Sequence, residues 1–282
     1  MYRLQEERIF KALMIASLAI VVGSLFAVIL VILWMGLPAL SLSMITQTPK
    51  GGYYLGKEGG ILNAIVGSIY LAFGSSLLAI FIGLPSALAL QNDYLGRTRA
   101  AYLIRLSFDI LWGTPSIVYG AFGFIIMLYL GLRASLLGGI IVLTLLQLPI
   151  MIRAMDEALK MIPEDLKEAS YNLGATKFET SFRVMVRQAL PGLITAVLLA
   201  FGRGIGDAAS ILFTAGYTDR LPTSLFEPVA SLPLAVFFQL GTPYPEVQRR
   251  AYASALVLLV IVLILSMSSR YLSRRFFNNT IE

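Results

Sequence analysis

The chain has 282 residues, 57% of them hydrophobic and 13% charged, with a mean hydropathy of +0.79 and a net charge of +6. A soluble domain carries roughly 25% charged residues, and a water-soluble core of this length cannot hide so much apolar surface, so a bilayer is the expected solvent. Cysteine and histidine are both absent, which excludes disulfides, thiol catalysis, thiolate or imidazole metal sites and histidine acid–base chemistry, so neither a metal nor a cofactor is expected.

Six spans follow in chain order. Ala12 to Met35 carries no charge and is too long for the apolar core of a cleaved signal peptide, so it reads as a first membrane helix with Trp34 at an interface. Pro38 to Gly60, rich in Gly, Ser and Thr, reads as a loop. Ile61 to Asn92 holds a second span, tilted or interrupted near Pro85. Leu106 to Leu132 is a third, with Asp109 near its inner end. Ala134 to Ile152 is a fourth, with Pro149 near its end. Gln188 to Gly216 is a fifth, broken by Arg203 and Asp207. Ala251 to Ser269 is the sixth. Each is long enough to cross a hydrocarbon core of about 30 Å as a helix. In lipid the backbone must satisfy its own hydrogen bonds, and these long runs lack the alternation of a membrane β-barrel. The expected class is an all-α membrane protein of about six transmembrane helices. Tyr217 to Arg250 holds five prolines and cannot be one membrane helix. Its apolar middle, Val229 to Leu240, is too short to span and reads as interfacial or re-entrant.

With the N-terminus inside, the inner segments hold 15 lysines and arginines and the outer segments hold 6. The positive-inside rule then puts both termini in the cytoplasm. The same asymmetry accounts for the basic net charge without nucleic acid, since no basic patch is interleaved with exposed aromatics. The glycosylation-like Asn278-Asn279-Thr280 falls on the expected cytoplasmic tail and reads as chance. The chain divides into residues 1–60 (first helix and outer loop), a core at 61–272 and a tail at 273–282.

The inner loop at 153–187 carries the densest local signals. It holds six acids and six bases. Pro163 stands at a helix start, followed by Glu164 and Asp165, which suit the positive end of a helix dipole. Gly174 is a left-handed stop, and Thr176 with Glu179 fits a capping box. The expected pattern is helix, tight turn, helix. A plain connector between bundle helices needs only about 2–8 residues, so the extra length suggests docking.

Glu168-Ala169-Ser170-x-x-x-Gly174, followed nine residues later by Val184, resembles the EAA loop of ABC-transporter permeases. Ser170 replaces the usual alanine, and the usual closing Leu-Pro is displaced to Leu190-Pro191. The resemblance implies a type I ABC-importer bundle in which this loop forms cytoplasmic coupling helices seated on an ATPase, through Glu168, Ala169 and Gly174. Two further stretches are similar to the phosphate-specific permeases, nearest the PstA branch. They are Gly113-Thr114-Pro115-Ser116-Ile117-Val118-Tyr119-Gly120, and Arg203-x-x-Gly206-Asp207-Ala208-Ala209 with Leu212-Phe213-Thr214-Ala215. That branch usually carries Gly-Glu-Thr-Ala where this chain has Gly-Asp-Ala-Ala. The resemblance implies a PstC-like second permease, a PstB-like ATPase dimer and a PstS-like phosphate-binding protein, besides membrane lipid.

The charges within the spans have their own reading. An Arg or Asp at a helix centre costs about 2.5–3.5 kcal/mol on insertion scales. Arg203 and Asp207 are four apart and are expected on one helix face, either as a structural ion pair or as part of an anion pathway in which the arginine fork meets an oxyanion. Gly202, Gly204 and Gly206 leave room for a close neighbour. Thr114 and Ser116 offer hydroxyls to an anion or bond back to their own helix. Asp109 either pairs with Arg105 or faces a water-filled path. No Gly-Lys-Ser/Thr loop is present, so any ATP hydrolysis belongs to a partner and the chain is not itself an enzyme. The expected function is a phosphate-importer permease. The alternatives are an ABC permease for another solute, an ion-driven secondary transporter and a purely structural membrane subunit.

Overall fold

A computed structural model describes residues 2–50 and 59–277; the Asn278–Thr280 pattern, Lys57 and the last residues of the tail lie outside them. The described residues form helices joined by turns and loops, in the order α1 (Tyr2–Gly36), a 3₁₀ turn, α2 (Leu42–Thr46), α3 (Leu62–Ala89), α4 (Arg99–Trp112), α5 (Ser116–Tyr129) and α6 (Leu136–Lys160). There follow α7 (Glu164–Asn172), α8 (Lys177–Glu179), a π-helical turn, α9 (Val186–Gln188), α10 (Leu190–Gly206), α11 (Leu232–Leu240) and α12 (Pro245–Phe277). Four helices, α1, α3, α6 and α12, are long and apolar enough to cross a membrane. Two bent pairs bring the number to as many as six.

The third expected span is one of those bent pairs. α4 and α5 meet at 102° across Gly113-Thr114-Pro115, so Leu106–Leu132 is not one straight helix. Pro115 has no N–H to give and pushes Thr114 out of the helical region. The carbonyl of Leu111, left at the end of α4, accepts from Thr114 N at 3.0 Å and from the Tyr119 hydroxyl at 2.9 Å. Pro85 acts differently. It sits inside an unbroken 28-residue α3, so the expected interruption is absent, as is common where a membrane helix is packed on its neighbours. Pro149 likewise lies within α6. The fifth expected span is also shorter than its apolar run. α10 ends at Gly206, and residues after it turn rather than continue the helix.

α6 is the central helix, and α3 lies against it along a seam of small residues. Ala72, Ser75, Ala79, Gly83 and Ala87 are all buried, three or four apart along one face. In lipid, helices gain little from the hydrophobic effect, so small side chains that let backbones approach are the favoured contact surface. At one end, Met151, Met155, Leu159, Met185, Ala196 and Ala200 fill the space between α6, α10 and the segment before it. At the other end Ile61, Ala230, Leu232 and Ala253 form a separate cluster. α1 stands outside this core, its described side chains almost all exposed, and packs along α12.

The segment between α10 and α12 re-enters the bundle, in line with its short apolar middle. The Leu232 N–H donates to Ser68 Oγ at 2.8 Å, the Val229 N–H donates to Ala215 O at 3.0 Å, and Asn63 Nδ2 donates to Thr218 O at 2.7 Å. Gly67 makes this possible, because a Cβ there would overlap the Ala230 carbonyl oxygen. A backbone oxygen in a segment pinned on both sides, by the Val229 and Leu232 hydrogen bonds, cannot swing aside as a side-chain tip can. Gly67→Ala is therefore expected to cost about 3 kcal/mol, at the upper end for overpacked cores. The thermal midpoint of the detergent-purified protein would read it; an unchanged midpoint would show that the re-entrant segment is loosely held.

Candidate functional site

α10 delivers Arg203 to the surface of the bundle in its last turn, where the negative end of the helix dipole favours a cation. Arg203 is exposed on this chain and lines a cleft of about 530 Å³ with Trp112 from α4, Ile150 from α6, Thr195 and Leu198 from α10, and Ser266 from α12. The walls are mostly apolar. No described carboxylate lies within ion-pairing distance of Arg203. It does lie near enough to Tyr119 for the two to interact electrostatically.

Asp207 does not pair with Arg203. It is the first residue past α10, extended at φ −85° and ψ 125°, and its Oδ2 accepts from the Ser210 N–H at 2.8 Å. The expected Arg203–Asp207 ion pair is thus absent: the four-residue spacing fails because the helix stops between them. Asp207 instead opens the turns that carry Ala208–Ala215. These turns lie against α5. A Cβ on Gly120 would come within 2.7 Å of Ser210 O and 2.8 Å of Ala209 O, and the Phe124 and Phe213 rings stand 6.0 Å apart. The two stretches singled out in the sequence, 113–120 and 203–215, therefore meet in space.

Thr114 and Ser116 are not gathered around Arg203. Thr114 Oγ1 donates back to Ile110 O at 3.2 Å, and Thr114 lines a separate, wholly apolar hollow beside Phe108 and Val118. Ser116 is the first residue of α5 and is half-buried. The residues that do join Arg203, Trp112 and Thr195 and Ser266, carry no motif and were invisible in the sequence.

The glycines before and after Arg203 divide in role. Open space surrounds Gly202 and Gly206, whereas a Cβ on Gly204 would overlap Gln147 Nε2 of α6. Gln147 is fully buried. It donates to Ser75 Oγ at 2.9 Å and accepts from the Ser76 hydroxyl at 3.0 Å. A polar knot linking α3 and α6 thus presses on the backbone of α10 and sets where Arg203 stands.

A second ionic centre lies nearer the loop end of the bundle. Asp156 of α6 is fully buried and accepts from Arg105 Nε at 2.9 Å and Gln91 Nε2 at 2.9 Å, with Lys160 Nζ at 2.8 Å and Arg153 Nη1 at 3.2 Å. Arg105 also donates to Leu90 O at 2.6 Å. Asp109 pairs with Arg153 across to α6 at 2.6 Å, not with Arg105 on its own helix. These bonds tie α4 and the end of α3 to α6.

The loop itself follows its local signals. α6 runs on to Lys160, so residues 153–160 are its last two turns. Pro163 caps α7, Gly174 is left-handed at φ +84°, and both halves of the Thr176–Glu179 capping box are made. The bend between this second segment, Lys177–Gln188, and α10 is 74°. The 91–96 turn holds the module from behind. Lys177 Nζ donates to Asp93 O at 2.9 Å, buried Lys167 faces Asp93 Oδ2 at 3.8 Å, and the Tyr94 and Ser181 hydroxyls are 3.2 Å apart. Burial, with the Asp93 carboxylate beside it, pushes the Tyr171 hydroxyl up to about 12, so it keeps its proton at physiological pH. Glu168, Ala169 and Gly174 are exposed. Next to them Leu173 is 90% exposed and Phe178 66%, the latter stacked on Phe182 at 4.7 Å. Large apolar side chains so exposed beside polar ones mark a contact surface.

Known proteins resemble this chain in sequence and in fold. Residues 79–278 match the family described as binding-protein-dependent transport system inner membrane component. The chain is 35% identical over 245 residues to the phosphate transport system permease protein PstA of Xylella fastidiosa, covering 85% of this chain and 83% of that one. It is 31% identical over 269 residues to PstA of Yersinia pestis, covering 95% and 90%. Among solved structures, the inward-facing MetNI methionine ABC transporter superposes with a TM-score of 0.63 at 19% identity, over 77% of this chain and 95% of that one, a likeness of fold.

Proposed function

We propose that this chain, which belongs to the family of binding-protein-dependent transport system inner membrane components, is the permease half of an ATP-driven phosphate importer. Family membership implies an ATPase partner and a second permease, and the chain is a multi-pass membrane protein. The finer assignment is that the second permease is PstC-like, the ATPase pair PstB-like and the delivering protein PstS-like, in a bacterial inner membrane with both termini cytoplasmic. The observation that carries the phosphate reading is Arg203. A guanidinium without a carboxylate partner, at the side of a half-open apolar cleft, is a fork waiting for an oxyanion. The PstA names of relatives across most of the chain point to the same cargo.

The cleft is open on this chain and its far wall belongs to the second permease. Phosphate released by the binding protein meets Arg203 where few competing dipoles screen it. Because no acid holds the guanidinium, the anion gains a full charge-assisted contact. With one fork on this side, it is also free to leave when the walls move apart. Asp207 serves by fixing the turn after α10 through Ser210, so Asp207→Asn, which keeps an acceptor oxygen, changes rate more than assembly. Work from the ATPase enters at Glu168–Gly174 and reaches α10 through the 74° bend and α4 through the Asp156 centre.

The deciding measurement is uptake of labelled phosphate and sulfate side by side, in vesicles holding this chain with its partners and ATP inside. Phosphate uptake that requires ATP and ignores excess sulfate is the expected result. Sulfate uptake alone keeps the importer and discards phosphate. Uptake of either anion without ATP removes the ABC reading. Glu168→Lys is expected to release the ATPase from the purified complex, while the permease itself keeps its thermal midpoint, since the residue is exposed. Retention of the ATPase would place the docking surface elsewhere.

A further inference from the structure

Two hollows adjoin along α12, at the end of the bundle away from α7. The first, about 440 Å³, lies between Trp34 and Met35 at the end of α1 and Gln248, Arg249 and Tyr252 in the first turns of α12. The second, about 860 Å³, starts within one turn of it along both helices and lies chiefly between α11, with Phe237 and Leu240, and α12, with Ala255, Leu259 and Val262, joined by Ile32 of α1; its lining is uncharged. On α12, positions 248, 252, 255, 259 and 262 are spaced by three and four and fall along one side of the helix. That side is polar for its first turns and apolar beyond them. α1 and α12 touch beside the hollows at Gly36, where a Cβ would come within 2.9 Å of Leu256 and the Tyr252 carbonyl.

The charges of the upper hollow are not balanced. Arg249 is exposed, and no described carboxylate is within ion-pairing distance of it. Trp34 is 77% exposed beside it, as an amphipathic ring at headgroup depth is expected to be. A cation and an indole above an apolar groove match one class of ligand end to end.

We propose that these hollows bind one anionic phospholipid from the leaflet farther from α7. Its headgroup phosphate sits on the Arg249 fork beside Trp34, and an acyl chain runs down the groove toward Val262. Free inorganic phosphate meets the same guanidinium but gains nothing from the groove. A partner helix fills the groove but leaves Arg249 uncompensated. The lipid alone satisfies both. Its chain fills the space between α11 and α12 beside Gly206 and Ala208, which also line the groove, and so braces the end of α10 that presents Arg203.

The test is native mass spectrometry on the delipidated, purified complex, titrated separately with phosphatidylglycerol, phosphatidylethanolamine and inorganic phosphate. The expected result is one phosphatidylglycerol bound per copy of this chain in preference to phosphatidylethanolamine. Its affinity should fall about tenfold in Arg249→Gln, on the scale of one charge-assisted hydrogen bond, and it should be lost in Ala255→Phe, which fills the groove. Arg249→Gln lies on the surface and keeps the test valid if the larger substitution does not fold. Equal phosphatidylglycerol binding by wild type and Arg249→Gln overturns the proposal. So does Arg249-dependent binding of inorganic phosphate with no lipid retained.

Discussion

Arg203→Ala is expected to lower ATP-driven phosphate uptake thirtyfold or more while the complex still assembles. Truncating one side of a desolvated charge contact costs about 2–5 kcal/mol, and each 1.4 kcal/mol is about tenfold, which gives roughly thirtyfold at the lower end. The cost falls on transport because Arg203 makes no ion pair that the fold relies on, and the cleft it lines is open on this chain. Arg203→Lys should fall between the two, since it keeps the charge and loses the planar fork. The measurement is initial uptake rate in vesicles, with the ratio of subunits in the purified complex as the control. Unchanged uptake in Arg203→Ala would remove the residue from the pathway. Loss of the second permease from the complex would instead make it an assembly residue.

A large effect on stability is expected at Asp156. Asp156→Ala leaves Arg105, Arg153 and Lys160 facing one another around a buried void, with Gln91 also robbed of its acceptor. Removing one partner of a buried ionic cluster costs about 3–5 kcal/mol. Lys160 is 39% exposed and Arg105 20%, so water softens the repulsion and the lower end of that range is the better guide. Few of α4's side chains are buried, and it touches the rest of the chain chiefly along α6. Its detachment should therefore expose the 99–112 segment to protease well before the whole protein unfolds. Limited proteolysis and the thermal midpoint, run together, read this out. Asp156→Asn keeps the shape and tests the charge alone. A midpoint within 1 °C of wild type for Asp156→Ala, a shift far below that expected for about 3 kcal/mol, would mean that apolar packing, not the ionic centre, holds α4.

Local chemistry made some of this legible before any fold was known. The uncharged runs located the spans, because a bilayer of fixed thickness asks for about twenty apolar residues and little else. Pro163, Gly174, Thr176 and Glu179 placed both helices of the loop correctly, because caps and left-handed stops act through atoms no more than a few residues away. The short apolar stretch after Val229 had neither the length nor the freedom from proline to span, which left an interfacial or a re-entrant path, and the structure chose the second.

Contacts between distant residues were decided by the tertiary structure. Pro85, Pro115 and Pro149 are the same letter in three apolar runs, yet only Pro115 breaks its span, where Gly113 and Thr114 precede it and Tyr119 bonds the stranded carbonyl. Arg203 and Asp207 have the spacing of a helical pair, but the end of α10 falls between them and turns the carboxylate to Ser210. Asp109 found Arg153 forty-four residues away rather than Arg105 four residues back, and Asp156 drew cations from two helices. Sequence spacing specifies a neighbour only while the helix lasts. Past its end, and between helices, packing chooses the partner, and the cleft around Arg203 exists only because Ile150, Trp112 and Ser266 were brought to it from three other helices.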